Sequence, residues 1–452
     1  MFFNRKKKIS IVGAGTAGII SALHYSFYGQ DDFDVTLYYD PSVPVERVGQ
    51  ATLFKATGLV GLSLGIDWIN NPIDATIKTG ILYEGWRKKE GNYLTDTIFN
   101  GVSMHFVPYK LSRVALESGL FKVVERSVQD PESELDGDFI IDCRGRHNRN
   151  EDDYEPLINP LDSVLLCDKP GADLKLHYTR CVATPHGWTF VIPNQKDVSY
   201  GYLYNSTITT KEEATKDFIE RFDVPEVDGE LHFKNYITKN VFVGERTMLN
   251  GNRCGFLEPL ESTSIELYQK SCREYFSYMM GNKDKQNVNL NIRREMKKIQ
   301  NWVLWHYKTA SNFDTDHKNF SRREIKKIVS GNLKIDSIKY WGYLAYPLVG
   351  FPDILRFRWL PLGKFYKVLV AIDNLIQSPL VATSVTTGIS TNLTVFDDTV
   401  KFSGITSFFG SDLIKIGNEI MKIEGVGIGA TNVIRVRREW LGTRAGAADT
   451  GT

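Results

Sequence analysis

The hexapeptide GAGTAG at residues 13–18 combines residue types and a spacing that can bind a pyrophosphate. Gly13 allows a tight turn, Gly15 lets a backbone approach a phosphate, and Gly18 lets a helix pack on a strand. Ala14 and Ala17 complete the expected contact surface. The chemistry that this pattern predicts is dinucleotide binding, and the alternative is a glycine turn with only a structural role.

A βαβ unit must position this hexapeptide. Residues 9–12 predict a β-strand, residues 19–28 a helix, and the alternation over 34–39 a second strand. The helix N-terminus would add unpaired amide donors and the positive end of its dipole. Asp40 ends the second strand, where an acidic residue accepts hydrogen bonds from an adenosine ribose. The context therefore favours the dinucleotide interpretation.

A second reactive pattern is a pair of carboxylates. Glu258 and Glu261 stand three residues apart around Pro259, directly before a predicted helix over 264–280. Elsewhere, the glycine and small residues of 47–58 would let a loop lie against the planar isoalloxazine ring of a flavin.

Further strands and helices alternate along the chain. Residues 76–86 and 93–107 predict strands, and the apolar segment DFIIDCRG at 138–145 predicts an interior strand that returns to the nucleotide-binding sheet. Residues 174–206 predict a group of strands. Helices are predicted in three later segments, at 211–222, 264–280 and 287–307.

Together these segments resemble the flavin-dependent halogenases of the tryptophan-halogenase-like family. The resemblance is colinear over roughly residues 8–310. The family signature Trp-x-Trp-x-Ile-Pro stands at 188–193, with Phe190 for the second Trp. The most specific stretch is FLEPLEST at 256–263. The fold that this resemblance implies is α/β, a Rossmann-like FAD-binding domain of the monooxygenase and halogenase type with an interleaved β-sheet region and a helical substrate subdomain.

The resemblance implies FAD, used as FADH2, as the cofactor. The family's flavin strap, commonly Val-Gly-Glu-Ala-Thr, stands at 48–52 with Gln50 in place of Glu. The cofactor contacts expected on this basis are Gly13, Ala14, Gly15, Ala17, Gly18, Asp40, Gly49, Gln50, Ala51, Trp188 and Pro193.

The resemblance also implies a reaction. Hypohalous acid made from FADH2, dioxygen and chloride, bromide or iodide would reach Lys78, which matches the family's essential lysine before a Gly-Trp. Glu261 would polarise the reagent or stabilise the cationic arene. The halide would bind at the backbone amides of Thr263 and Ser264, where many members have Gly in place of the Ser. A separate NAD(P)H-dependent flavin reductase is the implied partner.

Several alternatives remain beside this hypothesis. Glu258 is the other candidate for the working carboxylate, and a lone lysine in an alternating strand is most often a surface lysine. His105 echoes a family segment, but a lone histidine on a strand is most often structural. A flavin-dependent aromatic monooxygenase would not need Lys78, and a flavin-binding scaffold protein would have no turnover.

The sequence after residue 310 limits the substrate. It does not match the aromatic clamp with which tryptophan-specific members hold an indole, nor the acids that bind its amino group. A less specific arene, such as a phenol, pyrrole or indole derivative, is therefore expected. The aromatic-rich stretch at 340–366 is the expected lining of an open apolar pocket.

Charge and composition exclude other classes of partner. The 452 residues carry 55 basic and 54 acidic side chains, so a net charge of +1 provides no field for nucleic acid or an anionic membrane. Five scattered cysteines without a C-x-x-C pair predict neither a disulfide framework nor a metal site. We expect a soluble, cytoplasmic protein and make no prediction of its oligomeric state.

Three regions are predicted. Residues 1–310 form the FAD-binding and halogenase core, in which 1–150 and 235–275 carry the dinucleotide fold and 151–234 the interleaved β-sheet. Residues 311–380 form a helical, aromatic-rich substrate region. Residues 381–452 form a β-rich tail that faintly resembles repeat segments of bacteriophage virion proteins, which would imply a viral source.

Overall fold

The structure is a computed structural model that describes residues 5–67, 70–86, 93–96, 103–145, 150–171, 177–309, 313, 399–401, 413–416, 419–426 and 433–437. Its α-helices are α1 (Thr16–Tyr28), α2 (Phe54–Leu64), α3 (Pro108–Glu117), α4 (Pro131–Glu134), α5 (Lys211–Phe222), α6 (Ser264–Met279) and α7 (Lys285–Thr309). None of these helices is long and apolar enough to cross a bilayer.

The structure describes 19 β-strands within the first 260 residues and four more after residue 398. They are β1 (Lys7–Val12), β2 (Phe33–Tyr39), β3 (Gln50–Ala51), β4 (Thr76–Lys78), β5 (Gly80–Glu84), β6 (Tyr93–Asp96), β7 (Ser103–Phe106), β8 (Lys122–Glu125), β9 (Phe139–Asp142), β10 (Tyr154–Pro156), β11 (Ser163–Pro170), β12 (Tyr178–Ala183), β13 (Gly187–Pro193), β14 (Asp197–Tyr204), β15 (Gly229–His232), β16 (Tyr236–Thr238), β17 (Phe242–Val243), β18 (Thr247–Leu249), β19 (Gly255–Phe256), β20 (Thr399–Lys401), β21 (Leu413–Ile416), β22 (Glu419–Val426) and β23 (Val433–Arg437).

A six-stranded sheet in the order β17-β18-β9-β1-β2-β8 carries the glycine hexapeptide. All its pairings are parallel except that of β17 with β18. The isoleucines of β1 and β9 are buried on both faces, as a parallel sheet covered by helices requires. The predicted βαβ unit is confirmed, and so is the return of the DFIID segment as an interior strand, β9, between β1 and β18.

A seven-stranded sheet in the order β15-β11-β14-β13-β12-β5-β6 forms the second layer of structure. The fully buried strand β13 lies near its centre, between β12 and β14. A short third sheet has the order β3-β7-β4. It continues directly into the seven-stranded sheet, because only Thr79 separates β4 from β5. This short sheet brings the predicted flavin strap next to the strand that ends at Lys78.

The predicted single strands at 76–86 and 93–107 are wrong in extent. Each prediction covers two strands that pair in different sheets: β4 and β7 lie in the three-stranded sheet, whereas β5 and β6 pair with each other in the seven-stranded sheet. Within each predicted segment the alternating pattern continues from the first strand into the second. Periodicity therefore does not show where the chain passes from one sheet to the other.

The long helices pack two buried cores. Near the hexapeptide, α1 contacts α6, and the Tyr25 hydroxyl donates to the Cys272 carbonyl at 3.2 Å. The second core collects Trp188 of β13 with Trp302 and Tyr307 of α7. The predicted helix 211–222 is confirmed at both ends, and the helices predicted at 264–280 and 287–307 agree with α6 and α7 within two residues.

Four strands are described in the expected β-rich tail. They form an antiparallel sheet in the order β20-β23-β22-β21. The expected helical substrate region at 311–380 lies outside the described residues, apart from Phe313. The three-region division and the viral source stay predictions.

Candidate functional site

The glycine hexapeptide has the backbone that its sequence predicts. Gly13 has a φ of +108° and donates its N–H to the Tyr38 carbonyl at 2.8 Å, so the turn is tied to β2. A Cβ on Gly18 would lie 1.8 Å from the Gly13 carbonyl oxygen. A side chain at residue 18 would therefore separate α1 from the end of β1.

Gly15 differs from its neighbours because a Cβ there would meet no protein atom within 4 Å. It caps the N-terminus of α1, where no side chain satisfies the first amides. Ala14 and Ala17 are buried beside it, and the Ala14 carbonyl accepts from the Ser112 hydroxyl at 2.8 Å. The open space and the unpaired amides fit the pyrophosphate of a dinucleotide.

Asp40 directly follows β2, level with this turn. Its carboxylate accepts from the hydroxyl and the backbone N–H of Ser42, at 2.6 and 2.9 Å. These bonds, together with one from Ser127, hold the pKa of Asp40 below its ordinary value. An ionised carboxylate at the end of β2 suits the ribose of a bound dinucleotide.

The strap at 48–52 makes hydrogen bonds to β14 of the seven-stranded sheet and to α1. The Gly49 N–H donates to the Ser199 hydroxyl at 2.9 Å, and a Cβ on Gly49 would lie 2.7 Å from the Asn194 amide nitrogen. Gln50 accepts from the Thr16 hydroxyl at 3.0 Å, so the strap touches the first residue of α1. Gln50 and Ala51 then pair with β7 as β3.

Lys78 is the last residue of β4 and is fully buried. Its Nζ donates to the Thr52 carbonyl at 3.1 Å and to the Ser262 hydroxyl at 2.8 Å. Burial lowers its pKa to about 8, against the opposing influence of Glu261 and Cys181. The alternative of a surface lysine is therefore wrong for Lys78, which joins the end of the strap to the Glu-Ser of the FLEPLEST segment.

Glu261 lies in a strained turn beside this lysine. Glu261 and Ser262 have φ angles of +77° and +55°, a left-handed conformation that is unfavourable for residues with a Cβ. Consecutive residues of this kind are held only where the surroundings impose them. The turn buries the Glu261 side chain and directs the Ser262 hydroxyl to Lys78.

Two residues that the sequence analysis missed hold the Glu261 carboxylate. The Tyr83 hydroxyl of β5 donates to Oε1 at 2.6 Å, and Nε2 of His306 in α7 lies 2.5 Å from the same oxygen. The Tyr83 and His306 rings stack with centroids 5.2 Å apart. A histidine on the apolar face of a long helix was the signal for this contact, but nothing local in sequence pairs it with Glu261.

Glu258, the alternative carboxylate, has a different environment. It is fully buried and accepts from the Tyr307 hydroxyl, which in turn accepts from the Trp188 indole N–H at 3.0 Å. Burial raises the pKa of Glu258 to about 7, although these polar neighbours oppose the shift. Trp188 is itself fully buried, so its assignment as a cofactor contact stays a prediction.

The end of β13 lies close to Lys78. The Pro193 carbonyl accepts from the Thr76 hydroxyl at 2.5 Å, and Thr76 stands two residues before Lys78. His105 of β7 is fully buried between the hydroxyls of Thr76 and Thr179, at 3.0 and 2.9 Å. Burial holds its pKa well below the ordinary value, so His105 is a neutral, satisfied structural residue, as its lone position on a strand indicates.

The expected halide site lies at the start of α6. Ser264 is the first helical residue and Thr263 its cap, with no side-chain hydrogen bond to the helix amides. Ser262 is left-handed and Thr263 right-handed, and the Ser262 N–H donates to the Pro259 carbonyl at 3.0 Å, so the amides that remain for an anion are those at the start of α6. The geometry is compatible with a halide next to the Glu261 turn.

The sequence model of the tryptophan halogenase family matches this chain over residues 8–114 and 110–329. The chain belongs to the tryptophan halogenase family. The matched segment contains the hexapeptide, the strap, Lys78 and both carboxylates, so the resemblance inferred from the motifs is confirmed at the level of the family.

Individual relatives of this halogenase-family chain are distant. Tryptophan 7-halogenase RebH of Lentzea aerocolonigenes is 24% identical over 358 residues, which cover 57% of this chain and 67% of RebH. Tryptophan 6-halogenase SttH of Streptomyces toxytricini is 24% identical over 212 residues, 42% of this chain and only 40% of SttH.

Solved structures show the same fold. Xcc4156, a flavin-dependent halogenase from Xanthomonas campestris, superposes with a TM-score of 0.62 at 19% identity, covering 82% of this chain and 96% of Xcc4156. The Rossmann-like FAD-binding fold is therefore confirmed, and the chain is a member of a family of flavin-dependent oxidoreductases.

Replacing the two glycines one at a time separates binding from folding. Gly15→Ala places its methyl group in open space, so we expect normal stability but FAD binding weaker by roughly tenfold or more. Gly18→Ala meets the Gly13 carbonyl, so we expect a loss of about 1–3 kcal/mol or more in the free energy of unfolding. Flavin fluorescence titration and urea unfolding measure the two effects, and equal stability losses would contradict the assignment.

Burial of Lys78 predicts a pH dependence of stability. Its pKa of about 8 in the fold, against an ordinary 10.5, means that the unfolded chain binds more protons between these values, so the free energy of unfolding rises with pH. The shift corresponds to about 3 kcal/mol. Urea unfolding at pH 7 and at pH 10 should show this rise in the wild type, and Lys78→Met should reduce it by that amount. Equal slopes in the two proteins would show that Lys78 is solvated.

Proposed function

We propose that this chain halogenates an electron-rich arene with hypohalous acid held at Lys78. The observation that carries the proposal is the buried Lys78 ammonium, which lies between the flavin strap and the Glu261 turn. Family membership supports flavin-dependent halogenation of aromatic compounds in general. Residues 13–18, Asp40 and the strap would hold FAD, whose reduced form, delivered by a separate NAD(P)H-dependent reductase, supplies the electrons that convert dioxygen and a halide into hypohalous acid.

Lys78 suits both forms in which a lysine can hold this oxidant. With a pKa of about 8, most of the side chain is ammonium at neutral pH and donates hydrogen bonds, while roughly a tenth is amine and can attack the halogen. The Thr52 carbonyl and the Ser262 hydroxyl fix the position of Nζ in either form. A solvated lysine would offer neither the fixed position nor the amine.

Glu261 is the proposed acid–base group. Its carboxyl group is buried near Lys78, whereas Glu258 is held by Tyr307 within the aromatic core. This difference supports Glu261 over Glu258 as the carboxylate that stabilises the cationic arene and takes its proton. The substrate class that we propose is a phenol, pyrrole or indole derivative, with chloride, bromide or iodide as the halide.

Reconstitution tests this function. The protein is supplied with flavin reductase, FAD, NADH, dioxygen, a halide and a library of electron-rich arenes, and products are identified by mass spectrometry. We expect halogenated arenes from the wild type and a loss of roughly 100-fold or more in Lys78→Met, with NADH consumption unchanged. Lys196→Met, at an exposed lysine after β13, is the control.

The other outcomes of this experiment are equally informative. Oxygen insertion that does not need halide would make the chain a monooxygenase. Flavin binding without product from any arene in the library would make it a scaffold. Halogenation that survives Lys78→Met would refute the role of the lysine.

The halide site has its own test. Ser264→Asp places a carboxylate at the first position of α6, where the helix dipole tolerates it, but where it repels an anion at the same amides. We expect the halide concentration for half-maximal rate to rise roughly tenfold or more, with unchanged FAD affinity. Ser264→Asn, of similar size and neutral, should stay close to wild type. Equal effects of Asp and Asn would locate the halide elsewhere.

A further inference from the structure

The position of His306 fixes the hydrogen on its Nδ1 atom. His306 is buried in the last turns of α7, and its Nδ1 lies 2.9 Å from the carbonyl oxygen of Trp302 in the same helix. A carbonyl oxygen only accepts hydrogen bonds, so Nδ1 must be the donor. A neutral His306 therefore has no hydrogen on Nε2.

That deduction conflicts with a simple carboxylate at Glu261. Nε2 lies 2.5 Å from Glu261 Oε1 and 3.1 Å from the Tyr83 hydroxyl oxygen, while Tyr83 donates its hydrogen to Oε1 at 2.6 Å. Two lone pairs would face each other across the shortest of these contacts unless a proton lay between them. The Glu261/His306 pair thus contains one proton more than an imidazole and a carboxylate, and its net charge is zero in either arrangement.

The surroundings keep this proton within the pair. The Tyr83 ring stacks on His306, and the ring of Trp302 meets it edge-on at 5.2 Å. Glu261 and His306 are 7% and 3% exposed, so exchange with solvent is restricted. Among the described residues, the titratable groups near the pair come from five different elements or turns: Lys78, Tyr83, Cys181, Glu258 and Tyr307.

We propose that His306 is a positioning residue that holds one proton jointly with Glu261 for use in the halogen transfer. The arene π electrons form the carbon–halogen bond, the halogen–oxygen pair leaves on hydroxide, and Glu261 gives its proton to make water. The arene carbon then returns a proton to Glu261 and recovers its C–H electron pair. Arene and hypohalous acid become haloarene and water, and the pair regains its starting protonation.

This step rests on the halogenase function proposed above, but the shared proton has a test that needs no turnover. Protein without FAD, labelled with ¹⁵N-histidine, should show one histidine with two protonated nitrogens or a strongly deshielded shared proton at neutral and mildly alkaline pH. Glu261→Gln should abolish this signal and His306→Gln should remove it. A neutral His306 with a bare Nε2 in the wild type would overturn the inference, whether or not the protein halogenates arenes.

Kinetics then test the use of the proton. His306→Gln keeps an amide donor near Glu261 but cannot share a proton, so kcat for arene halogenation should fall by about tenfold or more and change its pH profile. Hypohalous acid captured by a solution trap should be unchanged, and the arene KM should move little. His232→Gln, at an exposed histidine, is the control.

A second variant covers the case in which His306→Gln does not fold. Tyr83→Phe removes one donor to Glu261 and leaves the shared proton in place, so its histidine spectrum should keep the signal while kcat falls less. An unaltered pH profile in His306→Gln, or loss of the trapped hypohalous acid in the same variant, would refute the assigned role.

Discussion

Burial of a single ammonium group is the constraint on which the rest of the site depends. The Lys78 side chain has no exposed surface, so its Nζ must find acceptors within the protein. It finds them on two segments that are far apart in sequence, at Thr52 and Ser262. The strap, the short β3-β7-β4 sheet and the turn before α6 must therefore meet at one point. The position of the strap and the position of the lysine are physically linked by this contact.

The second constraint is the pair of carboxylates around Pro259. A strained turn keeps Glu261 and Ser262 in the left-handed region, and α7 holds both acids with consecutive residues: His306 at Glu261 and Tyr307 at Glu258. Because the two side chains leave the helix about 100° apart, one turn of α7 separates the acids into different environments. Glu258 lies with Trp188 in the core, and Glu261 lies with Lys78. Trp188, the tryptophan of the family signature, is thus linked to Glu258 through the Tyr307 hydroxyl.

Sequence patterns within short segments correctly predicted the elements that depend only on neighbouring residues. The βαβ unit, the helix at 211–222 and the roles of Gly13 and Gly18 follow from turn geometry and periodicity, and the structure agrees. The division of 76–86 between two sheets did not follow, since alternation is the same in both. His306 and Tyr83 were missed for a related reason: β5 and α7 contribute one side chain each to Glu261, and such convergence depends on tertiary packing that no spacing in the sequence records.

The chain as a whole is nearly neutral, with 55 basic and 54 acidic residues, and the Glu261/His306 pair within the site is neutral as well. A Glu261 carboxylate beside Lys78 favours the ammonium form and opposes the lowering of the lysine pKa by burial. A proton shared with His306 makes the carboxylate and imidazole neutral together, which leaves burial as the main influence on the lysine. The lowered pKa of Lys78 and the shared proton then have the same cause, which is burial of both groups. Hypohalous acid would lie between two groups that can each give up a proton, Lys78 and the Glu261/His306 pair. When the pair gives its proton to the departing hydroxide, the negative charge left on the pair is balanced by the positive charge formed on the arene, so the buried site gains no net charge in this step.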